Sequence, residues 1–211
     1  MTAADHQADD IIATDADLDA LYGKPHTAAL AKELDHISDH YRAFVDAAPF
    51  VALATMGPDG LDCSPRGDPA GFVKVVDRKT VMLPDRRGNN RIDSLRNIVR
   101  DPRVSLLFLI PGIGETLRIK GRARISADPD LLQAFAINDK PPITVLIVTV
   151  DRVYFQCQKA LVRSRLWDPE ARVPRSQLPS TGAMLQAVSR GDINGDAYDR
   201  AYPQRMKETL Y

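Results

Sequence analysis

The chain lacks most of the short signatures that would name a chemistry at once. It has no glycine loop closing on Gly-Lys-Ser/Thr, and Gly112-x-Gly114 is followed by Leu117 where a dinucleotide fingerprint needs a third glycine. No Gly-x-Ser-x-Gly elbow occurs, and the four histidines (His6, His26, His36, His40) all precede the strand-rich part. A Ser/His/Asp or Cys/His nucleophilic site therefore finds no support, and no axial His for haem follows position 40. Two cysteines, Cys63 and Cys157, supply neither a disulfide framework nor a thiolate metal set. His36 and His40 stand one helical turn apart, yet position 37 is Ile and no third ligand follows. They read as solvated helix-face residues, and no metal is expected. Aromatics make up only 6% of the chain and the formal net charge is zero, which disfavours nucleic acid as a partner. Ile143 to Val150, the strongest apolar run, is far too short to span a bilayer. The acidic N-terminus has no basic segment leading into an apolar one, so the cytoplasm is the expected location.

What is present suggests a mainly β protein with flanking helices (α+β). Residues 1–13 are polar and acidic and are expected to be a disordered tail. Residues 14–49 read as N-terminal helices packing on a barrel. Thr14 caps the first, and Leu30, Leu34, Ile37, Tyr41, Phe44 and Val45 mark one face of the next, from Thr27 to Pro49. From Phe50 the period changes to that of strands. Phe50 to Met56, Leu61 to Pro65, Phe72 to Val76 and Thr80 to Leu83 read as two hairpins, the first turning at Gly57-Pro58-Asp59-Gly60. A helix follows from about Arg91 to Val99, with Ile92, Leu95 and Ile98 inward. Val104 to Ile110 reads as a strand buried on both faces. Thr116 to Ile125 alternates Leu117, Ile119, Ala123 and Ile125 with Arg118, Lys120, Arg122 and Arg124. Ile143 to Val150 and Arg152 to Cys157 supply the last long strand or pair. Residues 50–167 thus suggest an antiparallel barrel, and 168–211 a partly helical extension.

The charge is uneven. Residues 1 to 20 carry six Asp and no Lys or Arg, whereas Arg86 to Arg103 holds six Arg against two Asp. Arg96, Arg100 and Arg103 read as solvated helix surface. Arg86, Arg87 and Arg91 differ, because they flank Gly88-Asn89-Asn90 directly after an apolar strand. With Arg66 and Gly67 in Ser64-Pro65-Arg66-Gly67-Asp68-Pro69, they combine fixed cations, amide donors and glycines between strands. That set suits a phosphate ester, because a guanidinium meets two phosphate oxygens at once and glycine lets backbone N–H groups approach.

The chain resembles the pyridoxamine 5'-phosphate oxidase-like flavoproteins, specifically their FMN-dependent branch of unassigned substrate. The resemblance is carried by Phe50-Val51-Ala52-Leu53-Ala54-Thr55, Ser64-Pro65-Arg66-Gly67-Asp68 and Leu83-Pro84-Asp85-Arg86-Arg87-Gly88-Asn89-Asn90-Arg91. Asn97-Ile98, Leu109-Ile110-Pro111-Gly112, Glu115-Thr116-Leu117-Arg118, Gly121-Arg122-Ala123, Cys157-Gln158-Lys159-Ala160, Arg163-Ser164 and Leu166-Trp167 complete it, so that it covers roughly Thr14 to Trp167 and extends to the closing Leu210-Tyr211. It implies a split antiparallel β-barrel of the FMN-binding type, assembled as a homodimer with FMN at the subunit interface. Arg66 and Arg91 would hold the FMN phosphate, with Asn89 and Asn90 adding amide contacts and Arg86 and Arg87 reaching the phosphate or ribityl chain. Ser64, Gly67, Val73, Leu83, Pro84 and Asp85 would line the ribityl chain and ring edge through backbone groups. Thr116 stands where relatives carry a Gln near the ring, and Arg163 and Trp167 would arrive from the partner subunit. The implied activity is an FMN-dependent oxidoreductase of unknown substrate, with no catalytic residue singled out. The Arg-x-His-type segment that clamps pyridoxal phosphate in the vitamin B6 oxidases is missing after Trp167, so that reaction is not expected. Alternatives are a non-catalytic flavin-binding or regulatory protein, or a deazaflavin- or haem-handling relative on the same fold. Cys157 reads as a small buried hydrophobe.

Overall fold

A computed structural model describes residues 11–211. Most of the expected acidic tail, residues 1–10, lies outside the described residues. The chain divides into two compact units, one ending at Glu33 and one running from Leu34 to Tyr211. The first contains α1 (Asp15–Tyr22) and α2 (Thr27–Ala31). α1 starts as its sequence dictates: Thr14 Oγ1 accepts the Asp17 N–H at 3.2 Å, and the Asp17 carboxylate accepts the Thr14 N–H in return.

The second unit opens with a correction. The continuous helical face expected between Thr27 and Pro49 is interrupted: residues 32–38 lie outside any helix, and Leu34 forms an isolated β-bridge. Leu34 exchanges both backbone hydrogen bonds with Val153, at 3.0 and 2.8 Å, and Ile37 donates its N–H to Arg78 O at 2.8 Å. These bonds replace the intrahelical ones, and Ser38 then caps a new helix, α3 (Asp39–Ala47), by accepting the Tyr41 N–H. The apolar spacing survives the break because Ile37, Tyr41 and Val45 still reach the same core.

Seven antiparallel strands follow: β1 (Phe50–Gly57), β2 (Gly60–Gly67), β3 (Lys74–Asp77), β4 (Thr80–Asp85), β5 (Arg103–Leu109), β6 (Thr116–Ser126) and β7 (Thr144–Gln156). Their order in the sheet is β2-β1-β5-β6-β7-β4-β3, with β2 and β3 as free edges. Every strand except β2 contributes to one buried cluster, including Leu53, Val75, Leu83, Leu106, Leu117 and Val148. The sheet therefore curls around a single core as a split barrel, mainly β with flanking helices. Each fully buried Leu or Ile in it is worth about 1.5–3 kcal/mol of transfer free energy.

β5 was expected to be buried on both faces. Only Val104, Leu106 and Phe108 are buried, whereas Ser105, Leu107 and Leu109 are half-buried, because an antiparallel sheet has one face on the core and one turned outward. β6 alternates as its sequence predicts, with a bulge between Lys120 and Gly121. The last apolar runs form one strand of 13 residues, β7, not a pair. Cys157 lies just beyond it and is exposed, which overturns the buried-hydrophobe reading: the strand that would have covered it ends at Gln156.

α4 (Asp93–Arg100) packs on β1. Ser94, Asn97 and Ile98 are buried, while Ile92, expected to point inward, sits at the cap and is exposed. Asn97 Nδ2 donates to Thr55 Oγ1 at 3.1 Å. This approach requires glycine at the end of β1, because a Cβ on Gly57 would stand 2.5 Å from Asn97 Oδ1. α5 (Pro129–Gln133) lies between β6 and β7, and beyond β7 come α6 (Lys159–Ser164), α7 (Thr181–Val188) and α8 (Gly195–Thr209). α7 and α8 form a hairpin closed by Asp199, whose carboxylate accepts the Gly182 N–H at 2.7 Å and the Ser180 hydroxyl. These two bonds hold Asp199 below its ordinary pKa. Among the described residues no helix is long and apolar enough to cross a membrane.

Candidate functional site

Where the barrel is split, the ends of β2 and β4 face each other although they are not neighbours in the sheet. Each end carries one acid and one arginine, in crossed order. Arg66 Nη1 donates to Asp85 Oδ1 at 2.6 Å, and Arg86 Nε donates to Asp68 Oδ2 at 2.7 Å. Two ion pairs thus lace the split from opposite directions. Both are sheltered: the side chains of Arg66 and Asp85 retain 23% and 10% of their exposure, and Asp68 only 4%. Burial pushes the Asp85 carboxyl above its ordinary pKa, and the Arg66 guanidinium beside it works in the opposite direction.

A cavity of about 90 Å³ opens against this lacing, lined by Arg66, Asp85, Arg86, Gly88, Asn89, Asn90, Arg91, Ile92, Leu95 and Ile143. It is a partly open pocket, not a sealed void. Each of its three arginines is paired with an aspartate, Arg66 with Asp85, Arg86 with Asp68 and Arg91 with Asp93, and only the last of these pairs is open to solvent. The Nε of Arg66 is buried and has no hydrogen-bond partner among the described residues, which costs on the order of 1–3 kcal/mol.

The loop between β4 and α4 shapes the mouth. Asn90 has φ of 60°, a left-handed conformation that Asn tolerates better than most residues. Asn89 Oδ1 accepts the Arg91 N–H at 3.0 Å, folding the loop back on itself. Arg91 is 79% exposed and paired with Asp93 at 2.5 Å. A pair this open contributes little stability and exchanges readily for another anion.

Of the residues expected to hold the cofactor, Arg66, Asp85, Arg86, Asn89, Asn90 and Arg91 are brought together at one cavity. The others are elsewhere. Val73 and Leu83 are fully buried in the barrel core and Pro84 is buried beside them, so only their main chains are available to a ligand. Arg86, expected to reach the phosphate freely, is already held by Asp68 and, through Nη1, by Phe135 O at 2.8 Å. Arg87 is exposed and forms no ion pair among the described residues. Thr116 is buried at the start of β6, opposite Gln156. Trp167 donates its indole N–H to Ile113 O at 2.8 Å, which fixes it on the β5–β6 turn of its own chain, and Arg163 is exposed on α6. Gly67 ends β2 against Phe50.

Ser64 is engaged in a way the sequence did not signal. Ser94 Oγ donates to Asp62 Oδ2 at 3.0 Å and lies 3.0 Å from Ser64 Oγ. A hydroxyl carries one proton, so Ser64 must donate to Ser94, which donates to Asp62. The Ser64 hydroxyl is then committed and offers a ligand only lone pairs. The missed participants are Asp68, Ser94, Phe135 O and Tyr211. Ser94 and Asn97, polar at inward positions of an amphipathic helix, were the one clue to this network.

Solved structures with partial likeness include HupZ of group A Streptococcus, 20% identical over 56% of this chain and 91% of that one, TM-score 0.44. Another is a Clostridium acetobutylicum protein related to general stress protein 26 of the pyridoxinephosphate oxidase family: 14% identity, 56% and 86% coverage, TM-score 0.43. A third, an FMN-binding protein of Syntrophomonas wolfei, is 9% identical over 54% of this chain and 82% of that one, TM-score 0.42. The search of curated proteins returned no match. Residues 37–157, from the segment before α3 to the end of β7 and so including both laced strand ends, match the family described as pyridoxamine 5'-phosphate oxidase, and the chain belongs to that family.

Proposed function

We propose that this protein binds FMN through the cavity at the split of the barrel and acts as an FMN-dependent oxidoreductase, in a homodimer with the flavin at the subunit interface. The observation that carries the reading is the gathering of Arg66, Arg86, Asn89, Asn90 and Arg91 around one cavity, with the buried Nε of Arg66 left unpartnered among the described residues. Arg66, held through Nη1 by Asp85, would turn its guanidinium to the phosphate. Arg91 would exchange its contact with Asp93 for one to the ligand, and the amides of Asn89 and Asn90 would close the rim.

The homodimer is what the resemblance to the family implies. The pocket is lined for the anionic end of a ligand, and a second copy of the chain would supply further walls for the ring. When bound, FMN supplies electron or hydride transfer, chemistry that no amino-acid side chain provides. The chain's own part is to bind, orient and set the local charge.

The test is spectroscopic and then mutational. Purified protein should carry or take up FMN and show flavin absorption bands; protein that stays colourless with FMN in excess counts against the reading. Arg91→Ala should weaken FMN between about tenfold and a hundredfold while leaving riboflavin unchanged, because a charged contact to phosphate disappears. Equal losses for both ligands would refute the phosphate assignment. NAD(P)H-driven turnover with small electrophilic substrates separates an enzyme from a flavin carrier.

A further inference from the structure

Tyr211 is half-buried at the end of a stretch, residues 201–210, that is otherwise exposed. It makes three contacts with the barrel. Its hydroxyl donates to Asp68 Oδ1 at 3.0 Å, its main-chain oxygen accepts from Lys140 Nζ at 2.8 Å, and its ring lies 5.8 Å from the Arg86 guanidinium carbon. Asp68 is the carboxylate whose other oxygen holds Arg86, and Arg86 lines the cavity. Two of the three contacts therefore converge on one cation of the candidate site, from a segment beyond residues 37–157, which match the family.

We infer that Tyr211 is a positioning residue for the anion cavity: by occupying Asp68 Oδ1 it confines Asp68 to a single contact with Arg86 and keeps that guanidinium turned to the cavity. The physical reason lies in the geometry of the pair. A carboxylate beside an arginine prefers the two-point fork, in which both oxygens meet one edge of the guanidinium. Here only Oδ2 meets it, because Oδ1 is taken by the phenol, and Nη1 is turned instead to Phe135 O. Asp68 is nearly sealed from water, so an Oδ1 deprived of the phenol has no solvent to turn to. It would swing onto Arg86, neutralise it more completely and draw it from the rim. Burial and the neighbouring carboxylate both push the Tyr211 hydroxyl above its ordinary pKa, so it remains a donor throughout the neutral range.

This inference rests on the flavin reading, and its test separates the two. FMN and riboflavin are titrated calorimetrically into the full-length wild-type, Tyr211→Phe and Lys140→Met proteins. Tyr211→Phe keeps the ring and removes one hydrogen bond to a charged group; it should weaken FMN roughly tenfold and leave riboflavin within about twofold. Lys140→Met frees the main-chain oxygen while sparing the hydroxyl, and should keep FMN within about twofold. Unchanged FMN affinity in Tyr211→Phe, a parallel loss of both ligands, or an equal loss in Lys140→Met overturns the positioning role alone. A wild-type protein that takes up no FMN overturns the flavin reading and this role together.

Discussion

Removing Arg66 tests the lacing of the barrel split without any ligand. In Arg66→Ala the Asp85 carboxylate, 10% exposed, loses the only cation paired with it among the described residues. Breaking one side of a well-buried ion pair costs about 3–5 kcal/mol; because Arg66 keeps 23% of its exposure, about 2–3 kcal/mol is expected near neutral pH. For a chain of this length that lowers Tm by roughly 5–10 °C. The deficit should also depend on pH, with a definite sign. Asp85 already titrates above the ordinary 3.8 in the folded state because burial disfavours its charge. The two opposing influences, the charge of Arg66 and its hydrogen bond, disappear in the variant, so the folded pKa rises further. A raised carboxyl pKa means that the folded state holds the proton more tightly than the unfolded one. The penalty is therefore complete above the folded pKa, shrinks as pH falls through it, and vanishes below 3.8. Urea denaturation of variant and wild type from about pH 8 down to about pH 4, close to the ordinary carboxylate pKa, should show the gap closing on acidification. Adding Asp85→Asn should recover most of the loss at neutral pH, because no charge is then left buried. A gap constant across that range, or a double variant no more stable than the single one, would refute the reasoning.

Other consequences of the structure can be measured directly. Gly57→Ala places a Cβ 2.5 Å from Asn97 Oδ1 and should cost about 1–3 kcal/mol in chemical denaturation; a change under about 0.5 kcal/mol would show that α4 can shift freely. Ser94→Ala cuts the relay from Ser64 to Asp62 and should destabilise by about 1–2 kcal/mol, with Ser94→Thr or Ser94→Cys intermediate; a neutral Ser94→Ala would mean that water replaces the hydroxyl without loss. Leu106→Ala, at a fully buried position of the barrel core, should cost about 2–5 kcal/mol, and a value near zero would contradict the single shared core. Arg91→Ala, which opens only an exposed pair, should leave Tm unchanged while FMN affinity falls, and a stability loss would place Arg91 in the fold and not at the rim.

Local periodicity determined much of this protein. The capped start of α1, the β1–β2 hairpin about Gly57 to Gly60, the alternation along β6 and the cap of α5 by Asp128 are all interactions between residues close in the chain, so they can be read in order. The loops that gather the arginines were legible for the same reason, as charge and glycine between two strands. Tertiary pairing decided the rest. Leu34 belongs to a helical face by spacing, yet its backbone bonds to Val153, a partner that only the folded barrel brings near. The arginines read as free ligand contacts, because Ser64-Pro65-Arg66-Gly67-Asp68 and Asp85-Arg86 each show acid and base side by side. Only the curl of the sheet reveals that each cation faces the acid of the other strand end, so that Arg66 and Arg86 enter the site already half-neutralised. Tyr211 lies farthest from anything local: its partner is Asp68, 143 residues away along the chain, and no periodicity connects them.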